Sequence, residues 1–185
     1  MTYYNQNHYA HVPFPSKGNP TATVKTGGCG ICCASMIVEE LTNYSFPPEK
    51  SAAYAIKIGA RITGGTDMEL LCACISKDFG LTYKTANDPE ALKAHLSGGG
   101  VAIVNIGGDR EGYVGLFSDS RHYIAAVGIK DGKIVVYDPG YYTGKFSKAG
   151  RAGKVDISGY ELTVLPELLY KDAENRSPRY YLIEQ

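Results

Sequence analysis

Apolar residues follow one another with little interruption from Ile31 to Leu41, and the run opens on Thr26-Gly27-Gly28-Cys29-Gly30. That pattern predicts a tightly packed helix entered through a glycine-rich turn. Ser45 followed by Pro47 and Pro48 predicts a second helix near Glu49 to Ile58, since proline in a first turn leaves no needed donor unmade. A third is expected from Thr66, which forms a capping-box pattern with Glu69, to a stop at Gly80 after Phe79. Asp88-Pro89-Glu90 starts a fourth, closed by Gly98-Gly99-Gly100.

The period then changes. Val101 to Ile106 and Tyr123 to Ile129 are apolar runs of strand length, and Lys133 to Tyr137 reads as a strand returning from the Asp131-Gly132 hairpin signal. Tyr180 to Ile183 is the expected last strand. Ala22 to Lys25 is at best a short strand. Helices followed by antiparallel strands give an α+β fold, N-terminal helices packed on a C-terminal antiparallel sheet. No repeat or linker divides the chain, so residues 1–185 are expected to form one domain.

Composition adds mainly exclusions. The 185 residues are 44% hydrophobic and 21% charged, ordinary values for a globular protein. Nineteen basic residues balance nineteen acidic ones, which offers no electrostatic reason to expect nucleic acid or an anionic membrane surface as partner. No run of about 18 apolar residues is present to span a bilayer. Met1 to Pro15 is polar and tyrosine-rich and does not read as a signal peptide. A soluble, monomeric protein follows, in the cytoplasm or released from the cell. Five cysteines in two tight groups (Cys29, Cys32 and Cys33; Cys72 and Cys74) do not resemble a disulfide framework, so reduced thiols are expected.

Cys29 carries the candidate chemistry. A helix start offers unpaired amides and a partial positive charge, and both favour a thiolate. His122 opens one strand of the hairpin and Asp138 ends the other, so a carboxylate could reach one imidazole nitrogen while the second faces Cys29. A thiol nucleophile needs that arrangement: a base for its proton and an acid group that sets the tautomer. Each residue also has a plain structural reading. A cysteine at a helix start is commonly a small buried residue, a strand-edge histidine is commonly structural, and Asp138-Pro139-Gly140 is a turn in its own right. The joint pattern of a helix-borne cysteine followed by a hairpin-borne histidine and aspartate favours the catalytic reading.

Gly28-Cys29-Gly30 with Ala34-Ser35-Met36-Ile37-Val38 resembles the nucleophile helix of papain-like bacterial cysteine peptidases related to the bacteriocin-leader (double-glycine) processing enzymes. His122-Tyr123-Ile124, Gly128, Asp131-Gly132-Lys133 and Tyr137-Asp138-Pro139 resemble their histidine–aspartate hairpin. Asn5-Gln6, Tyr9, Pro13 and Phe14 resemble the entry segment whose glutamine supplies an oxyanion donor. The resemblance implies a papain-like fold, with Cys29 as nucleophile, His122 as base, Asp138 as orienting acid and Gln6 as donor; His11 or Asn7 are alternatives for the last role. Ile31 and Cys32 depart from the family's usual proline and small residue, and the tail from Tyr141 onward matches no pattern.

The expected reaction is hydrolysis of a peptide or isopeptide bond through a thioester, needing no metal or organic cofactor. A cell-wall peptide of peptidoglycan type is one candidate substrate. Three other readings stand beside it. The same fold could serve as a catalytically silent binding domain. Cys29-Gly30-Ile31-Cys32 also reads as a thiol oxidoreductase motif, but the βαβ pattern that should surround it is missing. A zinc site from Cys29, Cys32, Cys72 and Cys74 is opposed by geometry, because Cys72 and Cys74 on one helix point about 200° apart. Cys33, Cys72 and Cys74 are then expected to be core residues.

Overall fold

The computed structural model describes residues 1–185. Its helices are α1 (Val24–Gly27), α2 (Cys29–Leu41), α3 (Pro48–Lys57), α4 (Met68–Phe79), α5 (Pro89–Ser97) and α6 (Pro166–Ala173). The strands are β1 (Arg61–Ile62), β2 (Gly65–Thr66), β3 (Thr82–Ala86), β4 (Val101–Ile106), β5 (His122–Lys130), β6 (Lys133–Tyr137), β7 (Val155–Ser158), β8 (Glu161–Val164) and β9 (Tyr180–Glu184). Strands β1 and β2 form a small hairpin, and the other seven make one antiparallel sheet in the order β3-β9-β4-β5-β6-β8-β7.

Strand β4 is buried along its whole length because both faces of the sheet are covered. Val101 and Ile103 point into a core shared with α2, α3 and α4, while Ala102, Val104 and Ile106 enter a second core with α5 and α6. This period-two alternation explains why the strand reads in sequence as one continuous apolar run. Helix α2 is apolar all round for a similar reason, lying between the sheet and α3 and α4. Its Ile31, Met36, Ile37 and Val38 are fully buried, each worth about 1.5–3 kcal/mol of hydrophobic stabilisation.

The mixture of helices and antiparallel sheet agrees with the expected class, and the four helices and the central strands lie within two or three residues of their expected positions. Several details differ. The cap of α4 is Asp67, whose side chain accepts from the Leu70 amide, and not Thr66. Ala22 to Lys25 leads into the short helix α1 rather than forming a strand. Strand β3 falls among the helices and joins the sheet only by pairing with β9 at the far end of the chain, so helices and strands are less segregated than expected. The tail contributes β7, β8 and α6, whose short, half-exposed alternation is a weak sequence signal. No helix is long and apolar enough to cross a membrane.

Candidate active site

Cys29 is the first residue of α2. Gly28 before it must be glycine, since a Cβ there would lie 2.4 Å from the carbonyl oxygen of Val24. The close turn between α1 and α2 therefore sets the thiol at the helix entrance, half-exposed and facing a cleft of about 690 Å³. His122 begins β5 on the opposite wall. Asp138 follows β6 immediately and is fully buried.

The β5–β6 hairpin turns at Asp131-Gly132, both with positive φ (50° and 76°), as a two-residue turn requires. Between Ala126 and Gly128 the register shifts by one. Val135 is therefore opposite Gly128, but Val136 is opposite Ala126, and Tyr137 is opposite Ala125. Continuing that register, Asp138 shares a face with His122 at a diagonal position. Its Oδ1 lies 2.7 Å from His122 Nε2. That contact leaves Nδ1 as the nitrogen available to Cys29, whose thiol is electrostatically coupled to the imidazole.

The electrostatics of the three groups are mutually dependent. Burial opposes the Cys29 thiolate, but the hydrogen bond and charge of His122, with amides of Tyr123 and Gly30, outweigh it and lower the thiol's pKa. Burial likewise opposes a charged imidazole, yet Asp138 and Cys29 together raise His122 to about 9. Asp138 is held at about 2 against the cost of its burial by His122 and Lys145. The two shifts act in the same direction, each favouring a thiolate beside an imidazolium.

The N-terminal segment folds back over this site. Tyr3 Oη donates to the Asp138 carbonyl oxygen at 2.6 Å, Asn5 Nδ2 to the Tyr141 carbonyl oxygen at 2.7 Å, and the Gln6 amide to the Pro139 carbonyl oxygen at 2.8 Å. Gln6 thereby reaches the cleft, where its Nε2 donates to the Lys25 carbonyl oxygen at 2.8 Å while its buried Oε1 has no partner. Asn7 lines the cleft as well. His11 does not, its exposed ring standing 4.0 Å from Glu49.

Among the remaining cysteines, Cys32, Cys33 and Cys72 are buried, and burial pushes each thiol up. Cys74 is half-exposed rather than in the core as expected, because its face of α4 turns away from Cys72.

Sequence reasoning missed Lys145. This lysine is buried, and its Nζ lies 2.5 Å from Asp138 Oδ2 and 3.2 Å from the Gly140 carbonyl oxygen. Nothing in a loop lysine marks it as buried; its place after Gly144, a left-handed residue that starts a turn, is the only local signal. Arg151, also buried and on the cleft wall, reaches the Gly115 carbonyl oxygen and Asp119, and it too lies in the unpatterned tail.

No family model matches the chain, and no curated protein matches it. The fold does match a solved structure, a Bacillus anthracis protein provisionally described as a C39-like peptidase. The TM-score is 0.57 at 10% identity, over 95% of this chain and 96% of the other. At that identity the likeness is one of fold alone.

Proposed function

We propose that residues 1–185 form one papain-like domain that hydrolyses a peptide or isopeptide bond through Cys29, His122 and Asp138. The observation that carries this reading is the pairing of His122 Nε2 with buried Asp138 Oδ1 at 2.7 Å, in the cleft that Cys29 also lines. The Cys29 thiolate attacks the substrate carbonyl carbon, and the tetrahedral intermediate collapses as the imidazolium gives its proton to the leaving amine. Water, losing a proton to the now neutral His122, then hydrolyses the thioester and frees the thiol. The free N–H of the Gln6 side-chain amide and the amides opening α2 are the oxyanion donors in this scheme. Of the 22 residues that line the cleft only four are hydrophobic, which suits a polar, extended substrate such as a peptide.

The test is incubation of the protein with a mixed peptide library and with soluble peptidoglycan fragments, reading new termini by mass spectrometry. Products that vanish in Cys29→Ala support the reading. Binding of fragments without any Cys29-dependent product would make this a silent binding domain.

A further inference from the structure

We propose that Lys145 is a positioning residue of the catalytic centre, acting through Asp138 as the charge that makes the buried ion-pair network electrically neutral. This role rests on the proposed catalytic reading, and the contacts around Asp138 define it. Asp138 is fully buried, and its two oxygens are divided between two cations. Oδ1 takes His122 Nε2 at 2.7 Å and the Gly140 amide at 2.8 Å; Oδ2 takes Lys145 Nζ at 2.5 Å. Lys145 is itself only 5% exposed, and it makes no other ion pair. A histidine and an aspartate alone would not need it, since one carboxylate orients one ring.

Counting charges supplies the need. With the thiolate formed, Cys29, His122 and Asp138 carry one net negative charge, and the burial of His122 and Asp138 disfavours it. The Lys145 ammonium brings the set of four to zero. The other titratable groups around it do not fill that place. From the N-terminal segment, Tyr3 offers only a neutral hydroxyl to the Asp138 carbonyl oxygen. From α2, Cys33 is held protonated by its burial. From β5, Tyr123 packs beside Cys29, and burial raises its hydroxyl to about 12. From β1, Arg61 feels Cys29 but is spent on the carbonyl oxygens of Phe14 and Gly65. Across the cleft, Arg151 is paired with Asp119, Arg176 bonds Asn105, and Arg121 is exposed.

The position of Lys145 is fixed by its surroundings. It opens a short turn at Lys145–Ser147 after Gly144, and the adjacent Phe146 is buried against Phe117 and Tyr141. The aromatic anchor holds the lysine stem down so that the ammonium meets Oδ2 and the Gly140 carbonyl oxygen together.

The test is the pH dependence of Cys29 alkylation by iodoacetamide, which needs no substrate and is independent of whether the protein cleaves peptides. The wild-type rate should show two inflections, the first as the thiolate forms beside imidazolium and the second as His122 loses its proton. Losing a cation disfavours both deprotonations, so in Lys145→Met both inflections should move to higher pH by about one unit. Lys145→Arg should keep them near wild type. If the Met variant does not fold, Lys145→Gln is scored in its place, with the same expected displacement. A lower rate with both inflections unmoved, or an arginine variant displaced as far as the neutral ones, would overturn the proposal. Displaced inflections without any peptidase activity would leave it standing and count against the hydrolase reading alone.

Discussion

Asp138 and His122 face each other only because β5 contains one extra residue. A regular ladder from the Asp131-Gly132 turn pairs Ile129 with Ile134 and Gly128 with Val135, and would bring Asp138 opposite Ala125, on the face away from His122. The irregularity between Ala126 and Gly128 displaces every later pair by one, and the carboxylate comes to the histidine's side. Gly140 completes the arrangement: a Cβ there would stand 3.0 Å from His122 Cε1 and 3.4 Å from Asp138 Oδ1.

Cys29 should be the first thiol to react. Its pKa is lowered by His122, whereas Cys32, Cys33 and Cys72 are buried and raised. Limiting iodoacetamide at pH 6 followed by peptide mapping should give label at Cys29, with half-exposed Cys74 reacting later. Label arriving first at Cys32 or Cys74 contradicts the assignment.

His122→Ala should be worse for the thiolate than Asp138→Asn. Without the imidazole, Cys29 keeps its burial cost and loses its largest favourable partner, so alkylation at pH 6 should fall at least tenfold. The asparagine can still accept from the ring and hold it. Equal alkylation rates in wild type and both variants would remove the triad.

Asp138→Asn should nonetheless be costly to stability, because it strands the buried ammonium of Lys145. Breaking one partner of a buried pair typically costs about 3–5 kcal/mol. Adding Lys145→Met should recover part of that loss, and urea midpoints for the two single variants and the double variant measure it. A double variant less stable than Asp138→Asn would show that the two groups are not coupled.

Acid should weaken the fold through the same carboxylate. Its folded pKa of about 2 lies below its ordinary 3.8, so its contribution is present above pH 3.8 and is lost as the pH falls toward 2. On the alkaline side two slopes oppose each other. The raised imidazole contributes fully below 6.5 and loses its contribution as the pH approaches 9, while the lowered thiol gains over part of the same range. Urea midpoints against pH should therefore drop more steeply between pH 4 and 2 than around pH 8, and the drop should flatten in the Asp138→Asn, Lys145→Met double variant.

Gln6→Ala should separate turnover from thiol reactivity. An oxyanion donor acts on the transition state, so kcat should fall by about 10²–10³ while Cys29 alkylation stays unchanged. The side-chain amide has room for this, with one N–H on the Lys25 carbonyl oxygen and its Oε1 unpartnered. Unchanged turnover would pass the role to Asn7 or to backbone amides alone, since His11 lies outside the cleft.

The local elements were legible in the residues themselves. Glycine spacing before Cys29, the apolar runs of α2, β4 and β9 and the Asp131-Gly132 turn are statements about neighbours in sequence, and backbone sterics and periodicity act over that range. They were enough to set a helix-borne thiol against a hairpin carrying histidine and aspartate. Tertiary structure decided the rest. The register irregularity in β5 chose the face of Asp138, and Gly128 within the strand is its only local sign. The pairing of β3 with β9 joined segments almost a hundred residues apart, and the backbone bonds of Asn5 and Gln6 to the Pro139–Tyr141 loop carried the glutamine into the cleft. Lys145 became part of the site for the same reason: a lysine is buried only where a carboxylate awaits it, and that carboxylate is placed by the fold as a whole.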